Sequence, residues 1–190
     1  IYDNLDGKSV SKGISANLDV VFPSGIKFLL GATWQDVSNT ENGVTQQQIL
    51  TESITGTWNL SYTFRMLDLS VYYTGNLYGP MRLPLLGDLD PRQEYSPTWS
   101  IQNIQFTYKG WNNFEVYGGV KNLLDWTPNK GNPFIIARTN DPFDKNVTFD
   151  ANGNAVATPD NPYALTFDPS YVYAPNQGIR GFFGVRYTVF

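Results

Sequence analysis

Residues 178–190 alternate between apolar and polar side chains, and this pattern constrains the fold more than any other feature of the sequence. The apolar phase holds Phe183, Val185, Tyr187 and Val189. Arg186 and Thr188 lie in the opposite phase. Because successive side chains of a β-strand point to opposite faces, the stretch predicts a strand with one apolar and one polar wall. An amphipathic strand in the final position is typical of a β-barrel, in which the last strand closes the cylinder.

The same period of two recurs in six earlier segments. They cover residues 12–22, 26–34, 54–64, 67–74, 98–108 and 114–121. The longer segments suit a barrel better than a sandwich, because strands in globular proteins average about 5–6 residues. Trp99 and Ile101 are out of phase with Ile104, which predicts a β-bulge near Gln102. We therefore expect an all-β chain of about seven antiparallel strands.

The predicted connections alternate in length. Short turns fall at residues 23–25, 65–66 and 109–113, and long connections follow Val37, Thr74 and Leu124. Outer-membrane barrels combine short periplasmic turns with long extracellular loops. The parity of the strands places every short turn at the end where Phe190 lies, which predicts a periplasmic C-terminus.

The composition fits a membrane barrel and excludes several other classes. Aromatic residues make up 15% of the 190 residues and charged residues 16%, and no apolar run approaches the ~18 residues that a membrane helix needs. The formal charge of −4 and the absence of a basic patch argue against a nucleic-acid partner. The chain has no His and no Cys, so it holds no Ser-His-Asp or Cys-His centre and none of the ligands that zinc and haem sites favour. We expect no catalytic residues, no cofactor and no metal.

The apolar segments have the length that a membrane barrel requires. Residues 26–34 would cross roughly 19 Å of membrane at a 3.3 Å rise and a ~45° tilt. Aromatic residues at both strand ends predict two interfacial girdles. One girdle would hold Phe22, Phe64, Tyr108 and Tyr187, and the other Trp34, Tyr73, Trp99 and Trp126.

Residues 11–14 read SKGI, residues 118–125 read GGVKNLLD and residues 167–173 read FDPSYVY. Together with the final strand, these segments resemble TonB-dependent outer-membrane receptors of the Bacteroidota type. Residues 118–125 (GGVKNLLD) resemble the "GVxNLxD" segment of the penultimate strand in that family. Residues 11–14 (SKGI), residues 167–173 (FDPSYVY) and the final strand agree with it in order and spacing. The final strand resembles the C-terminal assembly signal of these barrels. That signal would consist of Phe183, Val185, Tyr187, Val189 and Phe190, with Val189 and Phe190 as alternatives for the last lipid-facing position.

The resemblance implies a partial barrel. Family members have about 22 strands and a plug domain inside the barrel, so residues 1–190 would form roughly the last third of one barrel domain. The implied partners are the rest of the receptor with its plug, outer-membrane lipid and lipopolysaccharide, the barrel-assembly machinery, TonB through the N-terminal part, and a surface lipoprotein. The implied activity is non-enzymatic uptake of a scarce nutrient across the outer membrane: an iron chelate, cobalamin, a glycan or a peptide.

Two sets of side chains are candidates for contacts with plug or ligand. The first set is predicted to face the barrel lumen: Lys27, Asp68, Glu115, Lys121 and Arg186. The second set lies on predicted outer loops: Arg82, Arg92, Trp126, Arg138, Tyr163, Tyr171 and Tyr173. Arginine beside aromatic residues is good recognition chemistry. Residues 150–154 faintly resemble a calcium loop, but they lack the downstream Glu and are better interpreted as an Asn-Gly hairpin turn.

Two other classes remain as alternatives at this stage. A soluble secreted β-sandwich that binds carbohydrate through exposed Trp and Tyr has a similar composition. A barrel enzyme acting on lipid or peptide would need a nucleophile or an acid pair in one cleft, and the absence of His disfavours it.

Overall fold

The computed structural model describes residues 7–84, 93–128, 147–152, 154–162, 164 and 173–189. Within these ranges the chain forms ten β-strands and one 3-10 turn. The strands are β1 (Gly7–Val21), β2 (Ile26–Glu41), β3 (Val44–Gln47), β4 (Ile54–Phe64), β5 (Leu69–Tyr78), β6 (Trp99–Trp111), β7 (Phe114–Lys121), β8 (Thr148–Phe149), β9 (Ala155–Val156) and β10 (Arg180–Tyr187). The 3-10 turn is Arg65–Leu67. The predicted all-β class is confirmed.

Seven strands form one antiparallel meander. The order is β1-β2-β4-β5-β6-β7-β10, and β3 pairs with the outer part of β2. Every pairing in this path is antiparallel. The number of main strands and their antiparallel pairing agree with the sequence prediction.

The register aligns the apolar phase of all seven strands on one face. Opposite residues of antiparallel strands share a face. One row of partners runs Val20, Phe28, Leu60, Tyr73, Ile104, Val120 and Gly181 from β1 to β10. We call this side the apolar face and the opposite side the polar face. A slip of one residue in any pairing would move that strand's apolar set to the polar face, so the alternation excludes every odd shift of the register.

The three short turns lie together at one end of the sheet. They comprise residues 22–25, 65–68 and 112–113. Asp68 adopts a left-handed conformation after the 3-10 turn, and its carbonyl accepts a hydrogen bond from the Lys109 amide at 2.9 Å. β10 finishes at this end, because Tyr187 pairs with Phe114 and the Thr188 amide donates to the Asn113 carbonyl. The predicted alternation of short and long connections is confirmed for these strands.

The prediction of a loop at residues 37–48 is wrong. β2 continues to Glu41, and β3 returns along it from Val44. Asn42 and Gly43 both have positive φ angles, 50° and 78°. An Asn-Gly pair is the strongest short signal for a two-residue hairpin turn. The polar composition of the flanking residues concealed the strands, since neither face of this hairpin carries a continuous apolar stripe.

The β-bulge predicted near Gln102 is also wrong. β5 and β6 pair without interruption from Leu69 and Tyr108 to Tyr78 and Trp99. The irregularity lies instead between Tyr108 and Trp111, next to the turn into β7. The phase change at Trp99 has a different cause. Trp99 and Ile101 lie on the polar face although their side chains are apolar, whereas Ile104 lies on the apolar face.

The chain divides into two compact units. The first comprises residues 1–82, 96–126 and 178–190 and carries the large sheet. The second comprises residues 83–95 and 127–177 and includes the β8–β9 hairpin. In that hairpin, Asp150 Oδ1 accepts hydrogen bonds from the amides of Asn152 and Asn154, which confirms the predicted turn. Among the described residues, no helix is long and apolar enough to span a lipid bilayer.

Candidate functional site

The apolar face leaves large hydrophobic side chains exposed across the whole width of the sheet. At the β1 edge Ile14 is 73% exposed, and at the β10 edge Phe183 is 74% exposed. Trp34, Leu60 and Phe106, on strands between them, are also exposed. The largest apolar patch on a typical soluble monomer covers a few hundred Å², and larger patches mark protein or membrane contacts. A face seven strands wide therefore requires an apolar partner.

The polar face carries an ion-pair cluster near the short-turn end. Lys109 Nζ and Arg186 NH1 each lie 3.0 Å from a different carboxylate oxygen of Glu115. The Glu115 side chain is 18% exposed, whereas both cations are mostly exposed. Because the three residues come from β6, β7 and β10, this cluster links three adjacent strands. Solvent screening keeps the stabilisation per pair small.

Tyr117 connects the same cluster to the backbone of β10. Its ring lies over Gly184, where an added Cβ would approach the ring to 2.4 Å. The guanidinium of Arg186 lies 5.9 Å from the ring centroid. A glycine at position 184 is therefore required for the ring to lie flat beneath the arginine.

Asn122 organises the turn that follows β7. Its backbone has a φ of 53°, and only 4% of the residue is exposed. The side chain donates from Nδ2 to the Trp126 carbonyl at 2.7 Å and accepts at Oδ1 from the Trp126 amide at 3.1 Å. The Asn122 amide donates to Asn103 Oδ1 on β6. This asparagine thus satisfies backbone groups on both sides of the turn.

Asp125 ties the same turn to the start of the last strand. Its carboxylate oxygen Oδ1 accepts a hydrogen bond from the Ile179 amide at 2.8 Å, across 54 positions of sequence. Its own amide donates to the Asn122 carbonyl. Asn122 and Asp125 of the segment 118–125 therefore have a structural role. Their hydrogen bonds join the two ends of the longest connection, after β7 and before β10.

Three aromatic rings stack at the long-loop end of the polar face. Trp99 lies between Tyr78 and Trp126, with centroid distances of 4.0 and 4.6 Å and interplanar angles of 18° and 9°. Trp99 is 5% exposed. Trp99 and Trp126, predicted to belong to an interfacial girdle, therefore contribute to a packed stack instead. Tyr73, predicted for the same girdle, lies in the middle of β5.

The Arg82 side chain forms hydrogen bonds with the β2–β3 hairpin. Its NH1 donates to Gln46 Oε1 at 2.8 Å and to the Gln47 carbonyl at 3.5 Å. Its carbonyl accepts from the Leu50 amide. A shallow cavity of about 450 Å³ lies beside it, lined by amide side chains that include Asn39 and Gln48.

Four of the five predicted lumen residues lie on the polar face of the sheet. The residues found on the polar face are Lys27, Glu115, Lys121 and Arg186. Asp68 lies in a short turn instead of on a strand. Only Glu115 and Arg186 are brought together.

The other predicted residues fall into three groups. Phe183, Val185 and Tyr187 occupy the exposed apolar face of β10, and Val189 follows it, 82% exposed. Arg82, Trp126 and Tyr173 are described, the last of them in the second unit. The remaining residues lie outside the described ranges: Arg92, Arg138, Tyr163, Tyr171 and Phe190.

Sequence reasoning missed two cations of the polar face. Lys109 falls in the predicted turn at residues 109–113, but β6 continues to Trp111 and brings Lys109 to Glu115. Arg180 lies in the phase of Arg186, six residues earlier, so the alternation of the last strand already contained this signal.

Comparison with models of known protein families, with curated proteins and with solved structures found no match for this chain. The functional proposal therefore rests on the geometry and chemistry of the sheet together with the sequence resemblance of residues 118–125.

Proposed function

We propose that this chain is part of the transmembrane β-barrel of a TonB-dependent outer-membrane receptor, which takes up a scarce nutrient. The observation that carries the proposal is the exposed apolar face, continuous across seven strands. Lipid is the partner that covers such a face without a second protein layer. The polar face would line the lumen.

The dimensions of the sheet support a membrane location. β4 runs from Ile54 to Phe64, which corresponds to about 23 Å of depth at a 3.3 Å rise and a ~45° tilt. The apolar band of such barrels is about 25 Å tall. β1 and β2, with 15 and 16 residues, extend beyond this band at the long-connection end, as extracellular hairpins do.

The loop asymmetry supports an orientation. All short turns and the end of β10 lie at one end of the sheet, and the long connections lie at the other. In the proposed receptor the short-turn end is periplasmic and the long-connection end is extracellular. The connection between β7 and β10 is the longest of these, with the 58 residues 122–179 between Lys121 and Arg180.

The soluble β-sandwich has less support. A sandwich covers its apolar face with a second sheet of similar size. In the described part of the chain, the other sheet is the β8–β9 hairpin, whose strands have two residues each. A layer of that size does not cover seven strands.

Single-cysteine labelling tests the membrane proposal, because this chain contains no cysteine that would interfere. Leu30→Cys probes the apolar face, and Thr57→Cys probes the polar face at a similar height. An environment-sensitive thiol dye on the full-length protein in lipid vesicles should report an apolar environment at position 30 only. Equal, water-like emission at both positions would refute a lipid-facing sheet.

The transport part of the proposal needs its own test. It is supported by the resemblance of residues 118–125 to the receptor family. Cells that depend on the receptor for a nutrient should lose uptake when TonB is deleted, while the receptor stays in the outer membrane. Uptake unchanged by TonB deletion would leave a membrane barrel that works as a passive pore.

A further inference from the structure

We propose that Lys121 and Arg180 form a binding site for an oxyanion, a carboxylate or a phosphate group, of a soluble ligand. The inference rests on the proposed function in one respect: the polar face is taken to be the water-filled side of the barrel. We refer to these two residues as the cation pair.

The register places the two cations directly opposite each other. Arg180 on β10 is the partner of Lys121 on β7, so their side chains leave the same face of the sheet. Side chains at such positions have Cβ atoms about 4.5–5.5 Å apart, and like charges there destabilise the pairing. Both residues are exposed.

No described carboxylate neutralises the cation pair. The ion-pair cluster on β6, β7 and β10 uses its single carboxylate, Glu115, for Lys109 and Arg186. Asp125 follows Lys121 by four residues, and its Oδ1 accepts a hydrogen bond from the Ile179 amide, next to Arg180 in the sequence. In the described part of the chain, neither Lys121 nor Arg180 takes part in an ion pair.

The local packing holds Lys121 in place. Its ammonium lies 5.4 Å from the centroid of the Phe182 ring, which is a cation–π contact. Phe182 in turn lies over Gly119, where a Cβ would approach the ring to 2.9 Å. This contact favours a Lys121 conformation on the β10 side, since Phe182 is two residues from Arg180 on the same face.

The ligand chemistry follows from the two side chains. A guanidinium binds a carboxylate or a phosphate through two parallel hydrogen bonds, and an ammonium adds a point charge. The ligand group approaches from the polar face, which excludes the lipid on the opposite side as its source. The substrate class is therefore an anionic small molecule.

The charge balance of this face strengthens the argument. Lys109, Lys121, Arg180 and Arg186 share the polar face of β6, β7 and β10 with one carboxylate, Glu115, which gives a local charge of +3. The whole chain has a formal charge of −4. The positive charge is thus concentrated on this part of the sheet.

The test is anion binding by the full-length protein in detergent, with inorganic phosphate and citrate as probes and chloride at matched ionic strength as the reference. We expect the probes to raise the melting temperature and to bind about tenfold more weakly to Arg180→Gln and Lys121→Gln. Arg65→Gln is the control, since it removes one exposed cation from the short turn after β4 and should leave binding unchanged.

The melting temperature of the unliganded protein gives a second test, in which the expected effect of Arg180→Gln has the opposite sign to its effect with the ligand bound. In low-salt buffer without either probe, Arg180→Gln should melt higher than the wild type, because it removes the like-charge contact. In saturating phosphate the order should reverse. A purely structural role of Arg180 predicts lower stability of the variant in both buffers.

Three outcomes would overturn the inference. They are an equal response to the probes in wild type and variants, loss of binding in Arg65→Gln, and binding that needs anionic lipid in nanodiscs. The proposed function is tested independently by the labelling of position 30. Apolar labelling without anion binding refutes the cation pair alone, and anion binding without apolar labelling refutes the membrane barrel alone.

Discussion

At the residue scale, single side chains at the two ends of β10 have different roles. Val185 and Tyr187 lie on the exposed apolar face, and Thr188 follows the strand with its amide bonded to the Asn113 carbonyl. Asp125 holds the other end of the strand through Ile179. Each role gives a separate prediction.

Tyr187→Asp and Val185→Asp should block accumulation of the full-length protein in the outer membrane. A carboxylate on the lipid face costs roughly 1–3 kcal/mol, depending on depth. Thr188→Asp is the control, because position 188 is in the opposite phase and its charge stays hydrated. Immunoblots of outer-membrane fractions measure all three. Normal levels of Tyr187→Asp together with loss of Thr188→Asp would invert the assignment of faces.

Asp125→Ala should loosen the start of β10. The substitution leaves the Ile179 amide without its acceptor, which costs about 1 kcal/mol. Hydrogen exchange at residues 178–181 should accelerate roughly fivefold, while β4 is unaffected. Asp125→Asn retains a carbonyl oxygen at the same position and should show a smaller change. Identical behaviour of both variants would show that the charge, and not the hydrogen bond, matters.

At the element scale, the β2–β3 hairpin and the aromatic stack are the parts that were predicted worst. The hairpin depends on its turn and on polar contacts between its strands, such as the Thr40–Thr45 hydroxyl pair at 2.8 Å. The aromatic stack depends on Trp99, which lies on the polar face although its side chain is hydrophobic.

Gly43→Val should unfold the hairpin locally. Gly43 has a φ of 78°, a conformation that costs an L-residue about 1–2 kcal/mol and a β-branched one more. Asn42→Gly, one position earlier, should be tolerated. Amide exchange at residues 38–47 measures the effect. The turn is assigned incorrectly if both variants exchange at the wild-type rate.

Trp99→Ala should destabilise the sheet by about 3–5 kcal/mol, since it removes a buried ring that is stacked on both sides. Trp99→Phe should cost much less. Among the described residues, the Trp99 indole nitrogen has no hydrogen-bond partner, so phenylalanine loses no bond there. Thermal unfolding followed by tryptophan fluorescence compares the two. Similar melting temperatures would show that the stack contributes little.

At the scale of the whole molecule, the sheet has two edges, β1 and β10, without partners in the described part of the chain. An open edge leaves backbone N–H and C=O groups unpaired, which a bilayer does not tolerate. The proposed receptor therefore needs further strands to close the barrel.

Residues 1–190 expressed alone should fail to enter the outer membrane and should aggregate through these edges. The full-length protein should migrate as a heat-modifiable band on a detergent gel. Gel migration with and without boiling, combined with membrane fractionation, checks both statements. A heat-modifiable band from residues 1–190 alone would mean that this sheet closes by itself or with further copies.

The sequence by itself determined the seven main strands and the face on which their side chains lie, because a period of two keeps the apolar residues of each strand on one side. Val20, Leu60 and Val120 could be assigned to the same face without coordinates. The strands of the polar hairpin at residues 37–48 could not be predicted in this way, since neither of its faces is apolar and alternation of apolar and polar residues is therefore missing. Its Asn-Gly turn was the available signal.

Only the tertiary structure decided which residues meet across strands. It brought Glu115 to Lys109 and Arg186, placed Arg180 opposite Lys121, and stacked Trp99 between Tyr78 and Trp126. These contacts depend on pairing between segments that are distant in the chain, as for Asp125 and Ile179, and alternation within one strand carries no information about its partner. The physical reason is that periodicity fixes the direction of a side chain, whereas its neighbours are fixed by strand order and register.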